Sequence, residues 1–152
     1  MVLGDGNDLI AADTNFPDGG LTNYNGIIDT GDGNDTITST GVIYNEGTIN
    51  TGDGDDSIIV DGGFQSGSSG IVFLGNGTDY FKGFGNGEFS GENGNDTLEL
   101  TSGTYTLGRW YTAVTFTKGS SIMIASEFEE LIAGSTTYDF SSLTQGQTIT
   151  VA

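Results

Sequence analysis

One short phrase returns five times in the first hundred residues and constrains the fold more than any other feature. Its shared core is Gly-x-Gly-x-Asp-x-apolar, and in the last copy Glu92 replaces the first glycine. Repeats of roughly 20 residues are typical of solenoids, in which each repeat buries its apolar face against the next one. The five copies are LGDGNDLI (3–10), TGDGNDTI (30–37), TGDGDDSI (51–58), LGNGTDYF (74–81) and GENGNDTL (91–98).

Apolar residues keep fixed distances from each copy of the motif and form three rows. The first row precedes the first motif glycine by three residues, the second follows the aspartate by two, and the third stands six residues further on. No segment of residues 1–100 shows the 3.6-residue period of an amphipathic helix. We therefore predict an all-β fold, a right-handed parallel β-helix or β-roll solenoid with a C-terminal β cap. The rows are Met1, Ile28, Ile49, Val72 and Phe89; Ile10, Ile37, Ile58, Phe81 and Leu98; and Phe16, Ile43 and Phe64.

The motif glycines have a structural reason, because a tight turn stacked between identical turns needs positive φ and room for neighbouring backbone. Good turn chemistry alone would explain glycine, asparagine and aspartate in any order. It does not explain an aspartate in the same slot five times with an apolar residue two places later. The motif therefore indicates a site as well as a turn.

Charge and composition restrict the partners of the chain. It has 21 acidic and three basic residues, a formal net charge of −18, and neither cysteine nor histidine. Nucleic acid and anionic membranes need a basic face, so both are excluded as partners. The lack of cysteine and histidine argues against disulfides, thiol chemistry and zinc. Carboxylates, amides and carbonyls suit a hard cation such as calcium.

The five copies resemble the RTX, or hemolysin-type, nonapeptide Gly-Gly-x-Gly-x-Asp-x-apolar-x, whose family forms calcium-loaded parallel β-rolls. The resemblance covers residues 1–100 in spaced copies, whereas RTX repeats usually run in tandem. It implies that calcium is bound by the closing aspartates, and that the protein is extracellular and reaches the surface by a type I-like route. The turns opposite the motif lack the aspartate, so we expect ions along one side only. The implied ligands are Asp8, Asp35, Asp56, Asp79 and Asp96.

Stacking would turn the repeated slots into columns. Strands of a sheet lie about 4.8 Å apart, and two carboxylates at that spacing repel by about 1 kcal/mol even in water. Cations between the rungs would relieve this repulsion, and five motifs leave four gaps, so we expect up to four calcium ions. The slot between the glycines is expected to point outward and add to the field, or to be a solvated acidic face. It holds Asp5, Asp32, Asp53, Asn76 and Asn93.

The last third of the chain differs from the repeats. Residues 1–100 are predicted to form the calcium-binding coils, and residues 101–152 strands that continue or cap them. Alternation in YTAVTFT (111–117) and SSIMIA (120–125) predicts strands. The segment also resembles C-terminal regions that follow RTX repeats in secreted bacterial proteins. Arg109, Trp110 and Tyr111 are expected to cover the end of the core, with a ligand patch as the alternative. The expected core or cap residues are Phe128, Leu131, Ile132, Tyr138, Phe140, Leu143, Ile149 and Val151.

The functional prediction is a calcium-binding structural module of a secreted or cell-surface protein, not an enzyme. The start MVLGDGNDLI lacks a basic segment before an apolar run, so no cleaved signal is expected. No stretch is apolar enough to span a membrane. Met1 belongs to the same apolar row as Ile28 and Ile49, so the chain is expected to start in mid-coil. The strand edge of this first coil is expected to contact neighbouring repeats of a longer chain, or another copy head to tail.

The sequence supports three other functions to different degrees. A subunit of a calcium-dependent fibre or adhesin is compatible with calcium binding and ranks second. A polysaccharide-active β-helix enzyme needs only two carboxylates, but among 21 acids any pair could be nominated. Ice binding needs flat rows of identical residues, which the mixed Asp and Asn slot and unequal repeat lengths do not supply.

Overall fold

The protein consists of β-strands that stack into three sheets. The computed structural model describes residues 1–13, 20–65 and 70–152. The only helix among them is a 3₁₀ turn at Phe140–Ser142. The strands are β1 (Leu9–Ala12), β2 (Gly20–Asn23), β3 (Ile27–Asp29), β4 (Thr36–Ser39), β5 (Val42–Asn45), β6 (Thr48–Asn50), β7 (Ser57–Val60), β8 (Phe64–Gln65), β9 (Ile71–Gly77), β10 (Tyr80–Lys82), β11 (Gly87–Gly94), β12 (Thr97–Leu100), β13 (Gly103–Trp110), β14 (Ala113–Lys118), β15 (Ser121–Ser126), β16 (Glu130–Ala133), β17 (Thr136–Asp139) and β18 (Thr148–Val151).

The chain visits the three sheets in turn. Sheet I has the order β1-β4-β7-β10-β12-β16-β17, sheet II β2-β5-β8, and sheet III β18-β13-β14-β15-β11-β9-β6-β3. Pairing is parallel from β1 through β12 and on to β16 in sheet I. It is also parallel in sheet II and from β3 through β11 to β15 in sheet III. The prediction of an all-β protein with parallel pairing is confirmed.

The apolar rows form the core between the sheets. In sheet I, Ile37 pairs with Ile58 and Ile58 with Phe81, and all three are fully buried. The sheet III row likewise joins Ile28, Ile49, Val72 and Phe89 through successive strand pairs. Met1 lies at the open end of that row and remains 54% exposed. The row in sheet II begins differently. Leu21 pairs with Ile43, whereas Phe16, predicted for this row, lies outside the described residues.

The motif turns connect sheet III to sheet I and lie directly on one another. Gly52 has a φ of +98°, and a Cβ placed there would lie 1.9 Å from the carbonyl oxygen of Gly31 in the preceding turn. Gly54 repeats this relation, with a φ of +145° and a distance of 2.0 Å to the Gly33 carbonyl oxygen. Only glycine permits both the backbone conformation and the approach. The repeated glycines are therefore a condition for stacking.

A pair of alanine substitutions separates these two requirements. Gly6→Ala, where φ is +120° and no atom lies within 4 Å of the added Cβ, should lose about 1–2 kcal/mol through backbone strain alone. Gly54→Ala should lose about 3–5 kcal/mol, because overlap with the Gly33 carbonyl is added to the strain. Denaturant unfolding of both variants measures the difference, and equal losses would contradict a steric role for stacking.

Residues 101–152 both extend the parallel stacks and add antiparallel strands. β15 and β16 lie parallel to β11 and β12, and Leu131 extends the sheet I row beyond Leu98. A hairpin of β13 and β14 stands beside β15, and β17 and β18 add antiparallel edges. Among the described residues, no helix has the length and hydrophobicity needed to cross a membrane.

Candidate metal centre

The closing aspartates of the five motifs form one continuous ladder at the corner between sheets III and I. The backbone N–H of Asp35 donates to Oδ1 of Asp56 at 2.7 Å, and the N–H of Asp56 donates to Oδ1 of Asp79 at 2.7 Å. The same bond joins Asp8 to Asp35 at 2.7 Å and Asp79 to Asp96 at 2.9 Å. Each carboxylate thus fixes the turn before it, and the structure places these predicted residues in a single column.

The second oxygen of each carboxylate has no such role. Oδ2 of all five ladder aspartates is buried and makes no hydrogen bond within the protein. The four later aspartates are 0–2% exposed as whole residues, and Asp8 at the open end is half-buried. A buried polar atom without a partner costs about 1–3 kcal/mol, and more when it carries charge. Five such atoms in one column call for a ligand or a proton at each rung.

The corner between sheets II and III provides a contrast within the same molecule. There the stacked side chains are Asn23 and Asn45, and both are buried. Asn23 Nδ2 donates to Asn45 Oδ1 at 2.8 Å, and Asn45 Nδ2 donates to the carbonyl of Ile71 at 3.1 Å. Amides can donate as well as accept, so this ladder satisfies itself. In the aspartate ladder no Oδ2 has a hydrogen-bond partner. The Thr51 hydroxyl lies near the Asp56 carboxylate, but it donates to the carbonyl of Leu74 at 2.6 Å.

The slot between the motif glycines points outward, which agrees with both interpretations offered for it, an addition to the field of the ladder or a solvated acidic face. Asp32 and Asp53 are exposed and adjacent across a parallel bridge. Asn76 Nδ2 donates to Asp53 Oδ1, and Asn93 Nδ2 donates to Asn76 Oδ1 at 3.0 Å. Asp5 is exposed as well. This column therefore lies in solvent beside the ladder rather than inside it.

A third column of stacked polar side chains was not predicted from the sequence. It consists of the residues that directly precede the ladder aspartates. Asn7 Oδ1 accepts the N–H of Asn34 at 2.9 Å, and Asn34 Oδ1 accepts the N–H of Asp55 at 3.1 Å. Asp55 continues the series to the N–H of Thr78 at 2.9 Å. The recurrence of Asn or Asp at this slot was the available signal, and its role is to hold successive turns together.

The ladder also has a sixth rung, Glu129, which lies outside the five copies of the motif. Glu129 Oε2 accepts the backbone N–H of Asp96 at 2.7 Å, as each aspartate does for the one before it. The turn that carries Glu129 is shorter than the motif turns and has no Gly-x-Gly. The remaining signal is an acidic residue two places before Leu131, which continues the sheet I row.

Removal of the sixth rung should destabilise the end of the ladder. Glu129→Ala leaves the buried N–H of Asp96 without its acceptor and should cost about 1–3 kcal/mol. Glu130→Ala, at the exposed neighbouring residue, is the matched control and should change the free energy of unfolding by less than about 0.5 kcal/mol. Equal denaturation midpoints for the two variants would contradict this role of Glu129.

Burial of the ladder opposes its ionisation. It raises the pKa of Asp79 to about 7 and that of Asp96 to about 6. The charges of Asp96 and Asp56 raise the pKa of Asp79 further. The hydrogen bond that the backbone N–H of Asp56 donates to the Asp79 carboxylate acts in the opposite direction and lowers this pKa. Burial also raises the pKa of Asp56. Without a cation, ionisation of Asp56, Asp79 and Asp96 is therefore less favourable than ionisation of an exposed aspartate.

The metal-free protein should consequently become less stable as the pH rises from about 4 to 7. The pKa of Asp79 is higher in the folded than in the unfolded state, so the folded protein binds the proton more tightly. The resulting stabilisation is complete below the pKa of the unfolded state and is lost as the pH rises through about 7. A shift of this size corresponds to at most about 4 kcal/mol, which solvent screening reduces. Melting curves in metal-depleted buffer measure the trend, and Asp79→Asn should flatten it. A midpoint that rises between about pH 5 and 7 would contradict it.

The donor atoms along the ladder fit a hard cation. Within the part of the chain that the structure describes, no three acidic side chains lie close enough together to hold one metal ion. An ion between two rungs would therefore take its remaining oxygens from the backbone carbonyls of the glycine turns and from water. Such mixed sets of carboxylate, carbonyl and water oxygens are what calcium accepts.

Arg109, Trp110 and Tyr111 do not cover the end of the core, so that expectation was wrong. Trp110 is 52% exposed and Tyr111 is 93% exposed. The Arg109 guanidinium donates to the carbonyl of Leu143 at 2.6 Å. The core end is closed instead by buried residues of the C-terminal strands and the 3₁₀ turn, among them Phe140 and Ile149. The exposed aromatic pair stands at the tip of the β13–β14 hairpin.

Comparison with known proteins leaves the site to be interpreted from its own chemistry. No protein-family model, no curated protein and no solved structure matches the chain significantly.

Proposed function

We propose that this chain is a calcium-binding structural module of the RTX type that binds its ions along the aspartate ladder. One observation carries the proposal. Five stacked aspartates each have a buried Oδ2 without a hydrogen-bond partner. Calcium between the rungs would neutralise these oxygens and would remove the repulsion between successive carboxylates. The self-satisfied asparagines at the opposite corner support the expected restriction of ions to one side.

The proposed architecture is a right-handed parallel β-helix. The first three repeats place one strand each in sheets I, II and III in constant order, later repeats continue sheets I and III, and equivalent strands of consecutive repeats pair in parallel. Crossover connections between parallel strands are right-handed in about 98% of cases. In such a solenoid the ladder runs along one edge, and each ion would join two consecutive turns.

Counting bound calcium tests this function directly. Native mass spectrometry and calorimetric titration should find up to four calcium ions per chain, with magnesium unable to replace them because it keeps its water shell and demands octahedral geometry. An absence of bound calcium at about 10 mM, above the range of about 10⁻⁴–10⁻³ M for extracellular modules, would refute the proposal.

The proposed location is extracellular or at the cell surface. Sites of this kind are filled at extracellular calcium concentrations and remain empty in the cytosol. The module would therefore fold after export, when ions become available. In this proposal the protein is not an enzyme, and its contribution is mechanical, a rigid rod segment formed only where calcium is present.

End-to-end association is the second candidate function, and one surface favours it. Six of the nine large hydrophobic side chains exposed among the described residues belong to residues 1–27, including Val2 at 72% and Leu9 at 68%. Strands β1 and β2 are open edges of their sheets, and such edges recruit other strands. Light scattering across a calcium titration tests the idea, since a strict monomer at all concentrations would exclude a fibre.

A further inference from the structure

A cleft opens on sheet III away from the aspartate ladder. It encloses about 300 Å³ between strands β9, β11 and β15 and the tip of the β13–β14 hairpin. Its apolar lining includes the half-buried Ile71, Phe73 and Ile124. Trp110 and Tyr111 line it from the hairpin tip, and both are largely exposed. Exposed aromatic faces beside a concave surface are typical of ligand sites.

Three carboxylates complete the lining of this cleft, those of Glu88, Glu92 and Glu127. Glu127 accepts a hydrogen bond from the hydroxyl of Ser90, which also lines the cleft. The lining contains no lysine and no arginine. Its charge is therefore negative, and its ionised groups are hydrogen-bond acceptors only.

The basic residues of the chain are engaged elsewhere. Lys82 pairs with Glu99 at 3.5 Å, the only ion pair among the described residues. Lys118 lies 5.3 Å above the rings of Phe84 and Tyr105, and Arg109 binds the Leu143 carbonyl. With three basic residues in the whole sequence, none remains for the cleft. A cation from outside the chain is the electrostatic complement of this surface.

The form of the lining decides which cation fits. Among the described residues no three acidic side chains lie close enough together to hold one metal ion. The cleft, unlike the aspartate ladder, has no buried carboxylate oxygen without a hydrogen-bond partner, so it lacks the feature that favours calcium. An ammonium group donates hydrogen bonds and accepts none, which matches an acceptor-only rim. Its alkyl chain would lie on the apolar floor, and the indole face of Trp110 would attract its positive charge. We propose that this cleft binds a primary alkylammonium cation.

Backbone strain is concentrated at the same place. Glu92, Tyr111 and Glu127 have φ values of +69°, +55° and +58° and are three of the four non-glycine residues with positive φ among those described. A non-glycine residue in this conformation is strained, and such strain clusters at binding sites. Glu92 even occupies a slot that is glycine in the other four motif copies. A binding role gives these carboxylates a reason to occupy strained positions.

The fluorescence of Trp110 tests the proposal, because it is the only tryptophan of the chain. Protein kept saturated with calcium is titrated with cadaverine and, as its neutral counterpart of similar length, with 1,5-pentanediol. Cadaverine should shift the emission saturably, and the diol should not. Spermidine and Nα-acetyl-lysine amide as further probes distinguish a free polyamine from a lysine side chain. An equal response to cadaverine and the diol would overturn the proposal.

Matched variants locate the response in the cleft. Glu92→Gln keeps the size and backbone strain but removes one charge, and should weaken cadaverine binding by about threefold to tenfold. Glu130→Gln, an exposed glutamate outside the cleft, should leave the affinity unchanged. Equal losses in both variants, or a cadaverine signal that disappears in proportion to added calcium, would refute an ammonium site. Because calcium binding to the ladder is counted separately, failure here leaves the proposed function intact.

Discussion

Chelation of calcium at about pH 7.5 should abolish most of the β-sheet signal of this protein. Each filled site stabilises the folded state by about 2.7 kcal/mol at a calcium concentration of about 100 times Kd. Four sites together approach the whole stability of a typical domain, which is about 5–15 kcal/mol. Without the ions, the ladder carboxylates remain buried with an unpartnered oxygen on each. Circular dichroism spectra and melting curves with calcium and with excess EDTA measure the effect.

The control for that experiment is restoration of calcium. Addition of calcium beyond the chelator should return the β signal and the melting temperature, whereas the same concentration of magnesium should not. If EDTA changes neither the β signal nor the melting temperature, then the ladder is stable on its own and the calcium hypothesis is wrong.

Asp56→Asn should lower the stability of the calcium-loaded protein far more than Asp32→Asn. Asp56 is 2% exposed and lies between Asp35 and Asp79, so its carboxylate would contribute to the proposed ion sites on both sides. The amide oxygen retains an acceptor for the N–H of Asp35, whereas an uncharged NH2 group replaces Oδ2, so the charge and the proposed calcium ligand are both removed. Loss of up to two sites should lower the melting temperature by roughly 10 °C or more, with a matching loss in calcium stoichiometry.

Asp32 provides a control from the preceding motif, because it is exposed in the outer slot. Its replacement by asparagine should shift the melting temperature by no more than about 2 °C. In EDTA the difference between the two variants should shrink, since the neutral amide of the Asp56→Asn variant relieves repulsion that calcium otherwise relieves. Similar small effects of both substitutions in calcium would show that the ions lie elsewhere.

Much of the fold follows from the spacing of residues along the chain. The rows through Ile37 and Ile49 pair across the sheets as predicted, because a row with constant offset can be buried only if equivalent strands lie in register. The glycine slots follow from the same repetition, since stacked identical turns place a carbonyl where a Cβ would stand. The resemblance to the RTX motif also distinguished the closing aspartate of each motif from the outward slot, which holds aspartate in three motifs and asparagine in two.

The tertiary structure alone decided the features that depend on contacts between unlike segments. Glu129 joins the ladder because a shorter, glycine-free turn places it beside Asp96. It lies outside the repeated motif, so the repeats could not predict this position. Trp110 and Tyr111 line a cleft because the β13–β14 hairpin places its tip beside residues of β9, β11 and β15 in the same sheet rather than over the core end. Repetition specifies how equivalent residues stack, whereas packing between non-equivalent strands has no period in the sequence.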